Sequence, residues 1–196
     1  MTQRPTESLD ADYFARIYAD EVDPWGFATS DYERDKYADT LASLPRERYA
    51  NAFEIGCAIG VLSAQLAERT DALLGVDLNE QVLAEARQRN SGQPHVRFER
   101  MMFPRERPDD SFDLIVVSEV AYYWAGEDFA LAQRHIRDML RPGGHLMLVH
   151  YTPEATDYPM TGDEVHERFF AFATTCGMSH VRGHRRERYR LDVFEG

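Results

Sequence analysis

The spacing of apolar residues along the chain changes character at Tyr49. Before it, Leu9, Tyr13, Phe14, Ile17 and Tyr18 recur at helical intervals and predict a helix over 8–20. Ser30-Asp-Tyr-Glu33 has the form of a capping box and predicts a second helix running to Leu44, while Asp23-Pro-Trp-Gly26 between the two is a turn. From Tyr49 onward, short apolar runs alternate with amphipathic stretches. Strands are expected near 51–55, 72–76 and 95–99, and helices near 59–69 and 79–90. Such alternation with short connections makes a parallel sheet with crossover helices. Phe112-Asp-Leu-Ile-Val-Val-Ser118 is almost continuously apolar, the pattern of a central strand buried on both faces.

The helix over 127–140 is expected to stop at Arg141-Pro-Gly-Gly144, where Pro blocks continuation and Gly supplies a left-handed cap, with His145–His150 as the next strand. Thr161-Gly-Asp-Glu164 forms another capping box and opens a helix carrying Val165, Phe169, Phe172 and Ala173 to about Cys176. Strands near 178–184 and 187–194 complete the sheet.

With 196 residues the chain has room for one domain, 1–196, read as an N-terminal helical lid over 1–48 on a Rossmann-like core over 49–196. A formal net charge of −12 repels a phosphate backbone, so no nucleic-acid partner is expected. The basic run Arg182-Gly-His-Arg-Arg-Glu-Arg-Tyr-Arg190 reads as the solvated side of a terminal hairpin. Cys57 and Cys176 have neither metal nor redox spacing, which points to a cytoplasmic setting. Neither a membrane-spanning run nor a signal peptide's apolar stretch is seen, so the protein is expected to be soluble. Oligomeric state is left open.

The chemistry concentrates in Ala52-Phe-Glu-Ile-Gly-Cys-Ala-Ile-Gly60 and Leu73-Leu-Gly-Val-Asp77. A strand ending in a glycine turn lets backbone approach a ligand, and a carboxylate about 20 residues on holds ribose hydroxyls. The dinucleotide fingerprint needs three spaced glycines for a pyrophosphate, and Ala58 and Val61 break it. Glu54 fits better with the acid-x-Gly-x-Gly-x-Gly loop of S-adenosylmethionine (SAM) methyltransferases, which this loop resembles with Ala58 in place of the middle glycine.

A narrower resemblance rests on Asp23-Pro-Trp, Ser30-Asp-Tyr-Glu-Arg-Asp-Lys-Tyr37, Thr40-Leu-Ala-Ser-Leu-Pro45, Glu54-Ile-Gly-Cys57, Asp71-Ala-Leu-Leu-Gly-Val-Asp77, Ile115-Val-Val-Ser-Glu-Val-Ala-Tyr-Tyr123 and Pro142-Gly-Gly-His-Leu146. Over roughly 20–150 the chain resembles the nodulation protein NodS family, which N-methylates the free amine of a deacetylated chitooligosaccharide. The resemblance implies a class I methyltransferase fold, a seven-stranded sheet with an antiparallel C-terminal strand and two N-terminal helices. It implies SAM as cofactor, S-adenosylhomocysteine (SAH) as product and a small-molecule amine acceptor, an amino sugar or chitooligosaccharide among the options. O-methylation of a small natural product and a non-catalytic SAM-binding module are the alternatives.

The stretch Glu99-Arg-Met-Met-Phe103 lacks the Asp that often receives the adenine amino group, so Met101 and Met102 are expected to pack on the adenine. Gly56, Cys57, Gly60, Asp77 and Leu78 complete the cofactor set, with Ser118 at the end of the central strand. Arg34 is expected to grip the methionine carboxylate and Trp25, with Tyr32, to cover the cofactor. Methyl transfer is an in-line displacement that gains most from alignment and needs no metal. Glu119 and Tyr122 are therefore expected to face the acceptor. An amine needs little more than positioning, whereas a hydroxyl would need His150 as base.

Overall fold

The computed structural model describes residues 4–196. Two short helices, α1 (Ala11–Ile17) and α2 (Asp31–Ala42), precede the sheet. The core then runs β1 (Ala52–Ile55), α3 (Val61–Leu66), β2 (Leu73–Asp77), α4 (Glu80–Arg89), β3 (Val96–Arg100), β4 (Phe112–Ser118), α5 (Gly126–Met139), β5 (Leu140–Tyr151), α6 (Gly162–Cys176), β6 (Ser179–Arg185) and β7 (Tyr189–Glu195). The strands form one sheet in the order β3-β2-β1-β4-β5-β7-β6. β1 to β5 are parallel, and β7 runs antiparallel between β5 and β6. This is the class I methyltransferase sheet. Its topological switch lies between β1 and β4, so a crevice opens beyond their carboxyl ends.

β4 is buried on both faces, as its apolar run requires. Ile115 and Val117 join Phe53, Leu74, Leu146 and Leu148 on one side, while Leu114 and Val116 join Leu73, Met147, Val149 and Val193 on the other. Each face is closed by helices, which is why the strands read as continuous apolar runs rather than alternating ones.

Several helix ends differ from expectation. α1 is only seven residues, because Asp10 caps it by accepting the Tyr13 N–H at 2.9 Å. The Ser30 box is half formed: Ser30 Oγ accepts the Glu33 N–H, but the Glu33 carboxylate turns inward rather than back to its cap. At the end of α5 no left-handed cap forms. Buried Leu140 is already extended and pairs with Phe112, so Pro142 and Gly143 lie within β5 as an irregularity in its register. Gly143 sits there at φ 71°, its N–H on the Gly196 carbonyl at 2.6 Å. The Thr161–Glu164 box is complete.

The N-terminal segment is fastened across the crevice. Leu9 N–H donates to the Tyr123 carbonyl at 3.0 Å, and Ser8 Oγ accepts from Ala125 N–H and donates to Asp128.

Candidate active site at the strand ends

The β1–α3 loop holds three left-handed residues, Gly56 (φ 78°), Ala58 (φ 46°) and Gly60 (φ 72°). Two of them serve packing. A Cβ on Gly56 would lie 3.0 Å from Val120 Cβ, and one on Gly60 would lie 2.9 Å from Ala86 Cβ on α4. Gly60 does not line the cavity, which corrects its assignment as a cofactor contact: it is glycine so that α3 can close on α4. Ala58 carries the cost of a Cβ in the left-handed region. Its N–H donates to Asp77 Oδ2 at 3.1 Å, which ties the loop to the end of β2.

This loop and the N-terminal helices enclose a cavity of about 440 Å³, a size suited to a small molecule. Gly56, Cys57, Asp77, Leu78, Met101 and Met102 line one end of the set, with Trp25 from the N-terminal segment and Ser118 from β4. Trp25 packs edge-on against Tyr18 at 5.5 Å. Asp77 also accepts the Asn79 N–H at 3.0 Å. Burial pushes its carboxyl up to about 6, although the N–H groups of Asn79 and Ala58 favour the charged form. Glu54 lines the cavity with only 2% of its surface exposed and accepts from Ser63 Oγ at 2.5 Å. Burial drives it to about 8 despite that bond.

Further along the wall, α2 delivers a buried ion cluster. Lys36 Nζ lies 2.5 Å from Glu119 Oε1 and 2.9 Å from Glu33, its side chain 2% exposed. Glu119 Oε2 accepts from Tyr122 Oη at 2.8 Å and from the Tyr151 N–H at 2.9 Å. Glu119 itself sits at φ 57°, a strained backbone that turns its side chain toward α2. Burial alone would depress Lys36, but Glu119 and Glu33 outweigh it and hold the ammonium charged. Glu33 is pushed up by burial, with Lys36 opposing. Tyr122 stacks on Tyr158 at 5.1 Å, and burial raises its hydroxyl well above the ordinary range.

Two expected roles fail on geometry. Arg34 points into solvent, two thirds of its side chain exposed, and pairs with Asp31 and with Asp35 at 3.1 Å. On α2 the inward stripe is 33, 36, 37 and 40, and position 34 lies off it. His150 is fully buried and does not line the cavity. Its Nε2 accepts the Ala121 N–H at 3.3 Å, so its Nδ1 carries the proton and donates to His166 Nε2 at 3.2 Å. His166 Nδ1 in turn donates to Asp192 Oδ2 at 2.6 Å. Burial, then His166 and Lys36, hold His150 neutral. It anchors the turn bearing Tyr122 rather than meeting an acceptor.

Sequence reasoning passed over Lys36, Glu33, Tyr151 and Arg188, all of which line the cavity. For Lys36 a signal existed: it is the single lysine of a chain whose other 21 basic residues are all arginine. A lysine standing three residues after a glutamate on a stripe shared with Tyr37 and Thr40 is out of place on a solvated face.

The family model "Nodulation protein S (NodS)" matches residues 11–154. Nodulation protein S of Rhizobium tropici is 33% identical over 127 residues, 64% of this chain and 53% of the relative. That of Bradyrhizobium diazoefficiens is 34% identical over 122 residues, 61% of this chain and 58% of the relative. The chain thus spans somewhat more than half the length of these curated relatives. The crystal structure of N-methyltransferase NodS from Bradyrhizobium japonicum WM9 in complex with SAH superposes with a TM-score of 0.81 at 25% identity, covering 94% of this chain and 97% of that one. Glycine loop, Asp77 and the buried cluster at Glu119 all lie within the matched span, and the chain belongs to the NodS family.

Proposed function

We propose that the protein is a SAM-dependent N-methyltransferase acting on a small amine, with an amino sugar as the acceptor class to test first. The observation that carries this reading is one cavity joining a nucleoside-type wall, Asp77 with Met101 and Met102, to an acidic wall at Glu119 and Glu33 in a chain of the NodS family. The residues fit SAM. Asp77 has two backbone N–H groups on its oxygens and lone pairs left for a ribose diol. Glu54 supplies an acid to the cavity wall, a charge that would favour a cationic sulfonium. Cys57 and Leu78 complete the apolar lining, and Trp25 shields it from solvent.

SAM, when bound, supplies an electrophilic methyl whose transfer leaves SAH. The chain's own task is to align a neutral amine and exclude water. The attacking nitrogen uses its lone pair, so its proton must leave beforehand; the carboxylate of Glu119 accepts from the remaining N–H and fixes the direction of approach. Lys36, Tyr122 and the Tyr151 amide hold that carboxylate in one position. Burial of His150 away from the cavity takes that imidazole out of reach of a hydroxyl acceptor, which favours amines over alcohols. The same features favour a catalytic protein over a binding module. We take residues 1–48 as a lid on a core over 49–196, one domain in all. The negative charge and two unpaired cysteines support a cytoplasmic protein without nucleic-acid partners. Among the described residues no helix is long and apolar enough to cross a membrane.

The test is SAH release from SAM with glucosamine, glucosamine oligomers, simple amines and phenols. Methylated amine in the product supports the reading, and turnover confined to phenols or alcohols sinks it.

A further inference from the structure

Most arginines of the β6–β7 hairpin have polar partners, largely on α2 and α6. Arg185 pairs with Asp163, Arg190 with Asp192 at 2.8 Å and Arg186 with Asp39 at 3.1 Å, while Arg182 donates to the Ala42 carbonyl at 3.2 Å. Arg188 differs. Among the described residues its guanidinium makes no ion pair and no hydrogen bond. It faces the cavity instead, its Cζ 4.2 Å from the ring centre of Tyr32 and 5.5 Å from that of Tyr151.

The position is built, not incidental. Asp39 on α2 clamps the hairpin by accepting from His184 at 2.7 Å, Arg186 at 3.1 Å and Tyr189 Oη at 2.5 Å. The Arg188 carbonyl accepts the Thr152 N–H at 3.0 Å, which fixes the backbone beside the end of β5. Two aromatic faces then hold the guanidinium plane while leaving its N–H fork open. Tyr32 lies between two cations, Lys36 at 5.1 Å and Arg188 at 4.2 Å from its ring centre. Lys36 is neutralised by Glu33 and Glu119, whereas Arg188 is not neutralised. The Tyr32 hydroxyl is buried without a hydrogen-bond partner among the described residues.

We infer that Arg188 is the oxyanion-binding residue of this cavity, taking a carboxylate or phosphate of a bound ligand on its open fork beside Tyr32. A guanidinium presents two parallel N–H groups to such a group, and a rigid aromatic seat lowers the entropy lost on binding. Resting on the proposed methyl transfer, the anion has two sources. It is the methionine carboxylate of the cofactor, the role that exposed Arg34 does not fill, or an anionic substituent on the acceptor amine.

Calorimetry on the full chain, wild type, Arg188→Gln and Arg188→Lys, separates them. In the first arm SAH is compared with methylthioadenosine, which lacks the amino-acid group. A loss of about tenfold or more in SAH affinity in Arg188→Gln, with methylthioadenosine unchanged, assigns the methionine carboxylate. In the second arm SAH-loaded protein is titrated with glucosamine and glucosamine 6-phosphate. Unchanged SAH affinity with a wild-type preference of about tenfold for the phosphate, abolished in Arg188→Gln, assigns the acceptor's anion. Arg188→Lys should recover only part of either effect, since an ammonium keeps the charge and loses the fork. If both comparisons are the same in wild type and Arg188→Gln, the inference is overturned. Should wild type bind neither nucleoside, the methyltransferase reading fails, and the phosphate titration of the free protein still decides Arg188.

Discussion

Lys36 and Glu119, 83 residues apart in sequence, are joined at 2.5 Å inside the molecule, a contact that ties α2 to the end of the central strand. With Glu33 on the other side of the ammonium, two carboxylates share one cation. Breaking a buried pair from one side leaves an uncompensated charge, typically a loss of about 3–5 kcal/mol. Lys36→Met, which strands both carboxylates, should lose stability at about this level, and Glu119→Gln should lose less because Glu33 still partners the lysine. Urea unfolding of the two variants measures the order; equal losses would mean that Glu33 contributes nothing to the pair.

On activity the two changes should converge. Glu119→Gln removes the oriented carboxylate and Lys36→Met releases it, so both should lower turnover by at least about tenfold while SAH affinity stays near wild type. Since the attacking amine must be neutral, kcat/KM should rise with pH along a limb set by the acceptor's own pKa in every variant. Initial rates against pH with an amine that the protein methylates would check this. Equal loss of SAH affinity and rate would place the cluster in the cofactor site instead.

A chain with one lysine allows a direct check of its burial. An amine-reactive label should leave Lys36 unmodified in the native protein and modify it only in urea. Intact-mass spectrometry counts the labels. Fast labelling of native Lys36 would contradict its placement.

Periodicity revealed the sheet because each parallel strand is a short apolar run closed by helices on both faces, and the glycine loop and Asp77 are local in sequence. The acidic end was legible in part. Glu119 and Tyr122 stand on one turn after β4, so proximity in the chain gave them away. Lys36, Glu33 and Arg188 arrive from other elements, and their types normally mark solvated faces. Arg34 misled because α2 carries Glu33, Arg34 and Lys36 almost side by side, and only the helix phase, anchored by Tyr37 and Thr40, tells which of them points inward. His150 misled for another reason: a strand-end histidine is as useful a hydrogen-bond anchor as a base, and its partners His166 and Asp192 lie on α6 and β7.

That histidine pair should shape acid stability. His150 and His166 are both held below the ordinary histidine value, by burial first, so the unfolded chain binds protons that the folded one refuses. Their contribution is complete above about 6.5 and is lost as pH falls below it. Wild type should therefore lose stability on acidification more steeply than His150→Gln. Thermal melts from pH 7.5 to 5 test the slope, and nitrogen NMR should find His150 protonated at Nδ1 and unresponsive over the upper part of that range.

Glu54 makes the opposite contribution. Its folded value of about 8 stands above the ordinary carboxylate range, so the stability it lends is present at low pH and is lost as pH rises toward 8. Glu54→Gln, which keeps the Ser63 contact without a titrating proton, should be more stable than wild type above neutrality and similar near pH 5. A sulfonium beside Glu54 would reverse the balance, since a neighbouring cation favours the carboxylate. Near pH 7.5 a group with a value of about 8 is mostly protonated, so SAM binding should release up to about three quarters of a proton. SAH, with a neutral sulfur, should release less. Calorimetric enthalpies in buffers of different ionisation heat give the number directly, and Glu54→Gln should abolish the difference between SAM and SAH. Equal proton release for the two ligands would mean that Glu54 does not sense the sulfonium, and its place in the cavity would then be that of a helix anchor through Ser63 alone.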